Sequence, residues 1–495
     1  MRMNAREIIE AMADPGTWVS WDEPIDDAPD DADYARELAA ARETSGLDES
    51  ITTGECEIRG HRVAAVVAEF GFLAGSIGLA AADRLVHAIR RATAAGLPLV
   101  AAPSSGGTRM QEGTVAFVQM LRITEAVAEH RRAGLPYLVY LRHPTTGGVF
   151  ASWASLGHVI VAEPGALVGF LGPRVYEALH GEPFPTGVQQ AENLYAHGLI
   201  DAVVPPEQVP ELLDRALNVL AASPDPGPPP PEPFHASPAG EPAWTSIERS
   251  RRAERPGVRR LLRHAAHDVV PLHGTLSGES EPGVLLALAT FGAQPAVVLG
   301  QDRRGQTEET PLGPGALRAA RRGMQLAAEL DLPLVTLIDT PGAALSKAAE
   351  EGGLAGEIAR SISGLITLPS PTLAVLLGQG SGGGALALLA ADRVIAAEHS
   401  WLSPLPPEGA SAIVHRTTEF APQMAEAQRV RSVDLLAAGL VDRIVAERPD
   451  AADEPDAFLA RMGAAIEFEL WGLRSLDPSV RQARRHERYR NLGVR

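Results

Sequence analysis

Between residues 62 and 162, short apolar runs alternate with longer stretches in which apolar residues recur every three or four positions. The β-branched run 62–70 predicts a strand, and the glycine-punctuated stretch 72–78 a loop. Leu85 and Ile89 lie one helical turn apart and predict a helix over 80–94 that stops near Gly96. Further strands are expected at 97–102, 137–141 and 158–162, with helices at 115–132, closed by Gly134, and at 149–156. The same order returns downstream, with strands at 295–300, 334–339 and 372–378 and helices at 315–330 and 385–391. Strands and helices in regular alternation give an α/β layered fold.

The wording repeats along with the order. Leu97-Pro-Leu-Val reappears as Leu332-Pro-Leu-Val, 235 positions on (332 − 97). Gly147 and Gly383 are 236 apart (383 − 147), and Val159 and Val394 are 235 apart (394 − 159). Leu199-Ile-Asp-Ala-Val-Val closes the first passage and Leu440-Val-Asp-Arg-Ile-Val the second. This is a duplicated domain. We expect an acidic solvated arm over 1–50, a first copy over 51–222, a stiff proline-rich spacer over 223–244, and a second copy over 245–495. An arginine-rich helical stretch, 246–267, opens that second copy.

Composition narrows the function. A chain of 495 residues exceeds one core and fits two large domains. A net charge of −18 argues against nucleic-acid and anionic-membrane partners. Cys56 is the only cysteine, which rules out an intrachain disulfide framework and a cysteine-built zinc site. No leader-like segment and no apolar run long enough to span a bilayer is seen, so a cytoplasmic location is expected.

Candidate chemistry sits in four glycine loops, each following an apolar strand: Ser104-Ser-Gly-Gly, Thr145-Thr-Gly-Gly, Thr340-Pro-Gly and Gly378-Gln-Gly-Ser-Gly-Gly-Gly. Glycine lets a ligand approach the main chain, and the N–H groups that begin a helix lack internal partners. Two such loops per half can aim two N–H groups at one oxygen, as an oxyanion hole does. Alternatively, the glycines serve only tight turns and close packing. No Gly-Lys-Ser/Thr is present, so a P-loop is excluded, and neither half carries a dinucleotide fingerprint.

Longer motifs carry a family resemblance. Phe70-Gly-Phe-Leu-Ala-Gly-Ser-Ile-Gly, Ser105-Gly-Gly-Thr-Arg-Met-Gln-Glu and Ala162-Glu-Pro-Gly-Ala-Leu-Val-Gly-Phe-Leu-Gly-Pro-Arg resemble the β component of bacterial acyl-CoA carboxylase carboxyltransferase. Ile338-Asp-Thr-Pro-Gly-Ala, Gly378-Gln-Gly-Ser-Gly-Gly-Gly and Pro407-Glu-Gly-Ala-Ser-Ala-Ile resemble the α component. The resemblance covers roughly residues 55–215 and 285–450, β then α, as in single-chain actinobacterial forms. It implies a tandem crotonase (ClpP-like) fold of β-β-α superhelix domains and a homodimer or larger oligomer. The first half would bind acyl-CoA and the second carboxybiotin. By the same resemblance one oxyanion hole is assigned to Gly106 or Gly107 with Gly147 and Gly148. The other is assigned to Gly342 or Ala343 with Gly383 and Gly384. Carboxybiotin would release CO2, its ureido anion would take the α proton of the thioester, and the enolate would attack CO2.

Arg109 and Arg174 lie in matched motifs as CoA-phosphate ligands or as internal ion-pair partners; Met110 and Trp153 read as packing. Three departures from the family pattern stand out. The four-cysteine zinc ribbon is absent, so no metal is expected. Ala344-Leu-Ser-Lys replaces the usual Tyr-Pro-Gly after Gly342, and no Met-Lys-Met biotinylation site occurs. Biotin would therefore arrive on a separate carrier protein, carboxylated by a biotin carboxylase subunit. Alternatives on the same fold are a malonyl- or methylmalonyl-thioester decarboxylase, a Ser/Lys peptidase built on Ser381 and Lys347, and an inactive scaffold subunit.

Overall fold

The computed structural model describes residues 3–25, 29–236 and 241–492. The chain divides into two compact units: the first runs to Leu217 and includes Leu276–Gly278, and the second takes the remainder.

The first unit carries strands β1 (Val19–Ser20), β2 (Ile51–Ile58), β3 (His61–Ala68), β4 (Leu99–Ala102), β5 (Tyr137–Leu141), β6 (Thr145–Thr146), β7 (Val159–Ala162), β8 (Val168–Gly169) and β9 (Ala202–Val203). Seven of them form one sheet in the order β1-β2-β3-β4-β5-β7-β9, and β6 pairs β8 separately. Strands β1 to β3 are antiparallel and β3 to β9 parallel, with Ala64 opposite Leu99 and Leu99 opposite Tyr137. Arg59 and Gly60 join β2 to β3 with φ of 48° and 85°, the two-residue turn whose twist matches the strands. Every residue of β4, β5 and β7 is buried, as in a parallel sheet covered on both faces. The helix Leu79–Ala94 buries Ala81, Leu85, Ile89 and Ala92, one stripe at helical spacing, and packs on β2, β3 and the helix Gly113–Arg132.

The second unit repeats this plan with β10 (His267–Leu272), β11 (Val284–Phe291), β12 (Gln294–Gln301), β13 (Leu334–Thr340), β14 (Thr372–Ser381), β15 (Arg393–Ala397), β16 (Trp401–Ser403) and β17 (Arg443–Val445). Its order is β10-β11-β12-β13-β14-β15-β17, with β16 on the end of β14. The closing motifs do matching work. The Asp201 carboxylate accepts from Ile160 N–H at 2.9 Å at β7, and Asp442 from Val394 N–H at 2.7 Å at β15.

The structure differs from expectation in places. The helices expected at 149–156 and 385–391 are the short Gly147–Phe150, followed by a 3-10 turn at Trp153–Ser155, and Gly382–Leu386. Both therefore begin on the glycines themselves. The stretch 246–267 is two helices, Ala243–Arg251 and Val258–Ala265, separated at Pro256-Gly257.

The described part of 1–50 is folded onto the first unit rather than forming an arm. Helix Ala5–Met12 buries Ala5, Ile8, Ile9 and Met12, and Ala5 N–H donates to Glu69 Oε2 at 2.7 Å. Two of the segment's acidic residues serve as acceptors: Asp31 caps the helix Ala32–Ser45, and Asp22 accepts from Thr53 N–H at 2.9 Å. Residues 26–28 of the acidic run lie outside the described residues. The proline-rich stretch runs along the second unit, where Pro226, Gly227 and Pro233 carbonyls accept from Gln294, Trp471 and Arg443 at 2.9–3.0 Å. Proline residues lack an N–H but keep a carbonyl, which long side chains reach. Among the described residues, no helix is long and apolar enough to cross a membrane.

Candidate active site

In the first unit the ends of β4 and β5 lie side by side, and the chain leaves each in a glycine loop. Ser105 N–H donates to Pro144 O at 2.7 Å and Thr146 N–H to Ser105 O at 2.9 Å, locking one loop to the other. Gly107 (φ +114°) and Gly147 (φ +63°) take backbone angles that side chains resist, and a Cβ at Gly107 would stand 3.6 Å from Gly148 N. Several N–H groups are already spent. Gly106 donates to Ala74 O at 2.8 Å, Gly147 to Phe170 O at 3.1 Å, and Gly107 to Ser105 Oγ at 3.0 Å.

Thr108 N–H donates to no protein acceptor among the described residues. Gly148, in the first turn of its short helix, has no partner within that helix. A Cβ on Gly148 would lie 3.4 Å from Thr108 Oγ1, so the two residues face each other, both half-buried.

The second unit holds the same arrangement at the ends of β13 and β14. Gly342 (φ +141°) donates its N–H to Thr340 Oγ1 at 3.1 Å, as Gly107 does to Ser105. Ala343 N–H donates to no protein acceptor among the described residues, and Gly383 sits in the first turn of its helix. Both are half-buried. A Cβ on the buried Gly384 would lie 3.2 Å from Ala343 N, which brings the two loops together.

The correspondence is at one spacing. Ser105 and Thr340, Gly107 and Gly342, Thr108 and Ala343, and Gly147 and Gly382 are each 235 apart (for the last, 382 − 147). Gly147 and Gly382 share φ 63°. The bridges Ile77 to Thr108 and Leu312 to Ala343 obey the same spacing (312 − 77). The motif-based spacing of 236 paired Gly147 with Gly383, one residue out of register. The structure makes Gly148 and Gly383 the partners.

Several expectations therefore change. Gly106, Gly107, Gly147 and Gly342 shape the loops, but their N–H groups are engaged by the protein. Thr108 was missed, and the spacing of 235 applied to Ala343 is the signal that finds it. Arg109 is an internal ion-pair partner, not a phosphate ligand. It is 1% exposed, its guanidinium grips Glu49 (Nη1 to Oε2 2.8 Å) and donates to Ser76 O at 2.8 Å. Burial opposes its charge, yet the Glu49 carboxylate more than compensates and raises its pKa. The Arg174 side chain lies outside the described residues. Trp153 packs in the core at 1% exposure, whereas Met110 is 79% exposed.

The second-unit loops rest on side-chain amides. Gln301 is fully buried; its Oε1 accepts from Asp339 N–H at 3.2 Å and its Nε2 donates to Gly384 O at 2.7 Å, tying one loop to the other. Gln306 Oε1 accepts from Thr340 Oγ1 at 2.6 Å. Asp339 below them is 1% exposed; burial pushes its pKa up, while Arg303 at 3.7 Å and Gln379 N–H at 3.0 Å pull it back. Ala344, in the departure from the family pattern, donates its N–H to Leu312 O at 2.9 Å and buries its methyl group against Leu317 and Leu354. Ser381 is buried and its Oγ has no partner, while Lys347 is 86% exposed and faces Glu351 at 3.6 Å. That geometry removes the Ser/Lys peptidase.

Duplicated sheets of one topology, each with two facing glycine loops at the ends of adjacent parallel strands, define a tandem enzyme of the crotonase-like fold. The family model for the carboxyl transferase domain matches residues 2–483. The chain belongs to the carboxyl transferase family. It is 59% identical over 493 residues to a "probable biotin-dependent acyl-coenzyme A carboxylase beta3 subunit" of Mycobacterium tuberculosis, covering 100% of this chain and 99% of the relative. It is 36% identical over 518 residues to the "acetyl-coenzyme A carboxylase carboxyl transferase subunits beta/alpha" of Salinispora arenicola, covering 100% and 91%. A crystal structure of transcarboxylase 12S shares the fold, with a TM-score of 0.74 at 19% identity over 96% of this chain and 90% of that one.

Proposed function

We propose that the chain is the carboxyltransferase component of a biotin-dependent acyl-CoA carboxylase, acting in the cytoplasm on acetyl-CoA or a related short acyl-CoA. The observation that carries this reading is the repeat, at one spacing in two units, of half-buried peptide N–H groups without a protein acceptor among the described residues, Thr108 and Gly148 on the two loops of the first unit and Ala343 and Gly383 on those of the second. Thr108 and Gly148 hold the thioester oxygen as it becomes an enolate oxygen. Ala343 and Gly383 hold the ureido oxygen of biotin. Fixed peptide dipoles in a half-buried site stabilise developing negative charge without reorganising. Carboxybiotin, brought by a separate carrier and charged by a biotin carboxylase subunit, supplies the carboxyl group and the base. The protein's share is to bind, orient and stabilise charge, in keeping with the Ser381 hydroxyl beside Gly342 lacking a general-base partner. The names of the mycobacterial and Salinispora relatives support the substrate class, and a homo-oligomer fits the hexamer named for transcarboxylase 12S.

The test is the reverse reaction. The whole chain is given malonyl-CoA or methylmalonyl-CoA with free biotin, and loss of the carboxyl group is followed. We expect loss only with biotin, falling by about 10²–10³-fold in Gly148→Val and in Gly383→Val. Faster turnover of malonyl-CoA than of methylmalonyl-CoA supports acetyl-CoA as the forward substrate. Biotin-independent loss overturns the proposal in favour of a decarboxylase, and no turnover in a folded oligomer favours a scaffold.

A further inference from the structure

Beneath the helix Pro478–Arg490 the second unit encloses a cavity of about 210 Å³ lined by five arginines, Arg393, Arg481, Arg484, Arg485 and Arg488. The facing acids are Asp392 and Asp442 in its wall, with Glu469 behind Arg393. Counting these groups, five positive charges meet three negative ones.

Two of the arginines are fully committed to the fold. Arg485 holds Asp392 through Nε at 2.7 Å and gives its remaining donors to Leu365, Leu368 and Ser370 carbonyls at 2.7–3.0 Å. Arg488 grips both oxygens of Asp442 at 2.8 and 3.0 Å and donates to Leu440 O at 2.7 Å. These contacts use up the two acids.

The other three keep donors to spare. Arg481 is only 4% exposed; its Nη2 reaches Pro369 O at 2.7 Å, but its Nε is buried with no hydrogen-bond partner, and Asp392 Oδ2 stands 3.9 Å away. Arg484 is exposed and makes no ion pair among the described residues. Arg393 uses Nε on Glu469 at 3.0 Å and Nη1 on Asp442 at 3.3 Å. A buried guanidinium nitrogen without a partner is costly unless something supplies an acceptor.

We propose that this cavity binds a tetrahedral oxyanion, a phosphate group either free or at the end of a small phosphomonoester, held by Arg393, Arg481 and Arg484. The planar fork of guanidinium donors suits phosphate oxygens, and the volume admits a group of that size while leaving no room for a nucleotide. Desolvation lowers the pKa of Arg481 and Arg485 adds to this, while Asp392, Asp331 and Asp477 offset it only in part. The bound group joins the helix Pro478–Arg490 to β15, so its effect is to pin the end of the second unit.

Thermal unfolding of the full chain tests this, with inorganic phosphate or glycerol phosphate titrated against chloride at matched ionic strength. Wild type should show a saturable rise in Tm with phosphate that chloride does not give. Arg484→Glu, at an exposed position, should weaken the apparent affinity by about tenfold or more, and Arg481→Gln should abolish the shift. Calorimetry should give one site per chain. A response to inorganic phosphate identifies the free anion, and a response to the phosphomonoester alone identifies the group on a larger molecule. No shift with either, or the full shift retained in Arg484→Glu, overturns the site.

Discussion

The two units fasten the same backbone by different means. In the first, the loops are tied by main-chain bonds between Ser105, Pro144 and Thr146, and by the Ser105 hydroxyl on Gly75 O at 2.5 Å. In the second, the buried amide of Gln301 and the half-buried amide of Gln306 do that work. Strand β12 aligns with β3 at a spacing of 233, since Gly300 stands opposite Leu337 as Val67 stands opposite Ala102, so the position equivalent to Gln301 in the first unit is Ala68 (301 − 233), an apolar residue of β3. What is held in common is the positive φ of the glycines at matched positions. The supports beneath them are free to differ.

The largest effect should come from the buried ion pairs, one in each unit. Glu49→Ala leaves the buried Arg109 with only the more distant Glu112 at 3.5 Å, and Glu447→Ala leaves the buried Arg255 with only Asp450 at 3.7 Å. Each should cost about 3–5 kcal/mol, read by denaturant unfolding. If the units are independent, each substitution shifts its own transition; a joint shift would show that they unfold together.

Acid should separate the units next. His130, buried in the first, has its pKa lowered by burial to about 4 from 6.5. A histidine held neutral contributes stability that is complete above pH 6.5 and is lost as pH falls towards 4, roughly 3 kcal/mol in all. Glu357 in the second unit is held at about 2: burial raises its pKa, but hydrogen bonds from Arg360 and Arg321 outweigh it. Its contribution is complete above pH 4.5 and is lost towards 2. Unfolding followed from pH 7 to 2 should therefore loosen the first unit at higher pH. His130→Gln should remove the slope between 6.5 and 4, and a slope unchanged in that variant would discard the assignment.

Gln301→Leu sharpens the contrast in fastening. It strands Asp339 N–H and Gly384 C=O in the core, at a cost of about 1–3 kcal/mol. Carboxyl transfer should fall while the Kd for acyl-CoA stays at the wild-type value; equal loss of both would mean that the amide supports the whole chain. Smallest of all, Lys347→Ala removes only an exposed ion pair to Glu351. It should change stability by less than ~0.5 kcal/mol and leave turnover intact.

Much of this was legible in the sequence. The helices expected at 80–94, 115–132 and 315–330 are Leu79–Ala94, Gly113–Arg132 and Pro314–Glu329, because each has a clear apolar stripe or a terminal glycine. Strand β2 escaped because Thr53, Gly54, Glu55 and Glu57 interrupt its apolar run, and β11 because an unbroken apolar run suits a buried helix equally well. The N-terminal segment misled for a different reason: its carboxylates cap helices and accept bonds from the sheet, which composition does not record. At the candidate site the glycines were visible and the donors were not. Hydrogen-bond satisfaction separates Gly107 from Thr108, and that depends on where the Ser105 hydroxyl points.

The peptide groups of Thr108 and Gly148, and of Ala343 and Gly383, have a bearing on how this scaffold can change over generations. A main-chain donor has no codon of its own, so among point mutations only a change to proline deletes it; any other can only tilt or obstruct it. Substrate range can then drift through the residues around the loops while the charge-stabilising element stays constant. Duplication of a gene encoding such a unit hands the copy a working anion cradle from the start.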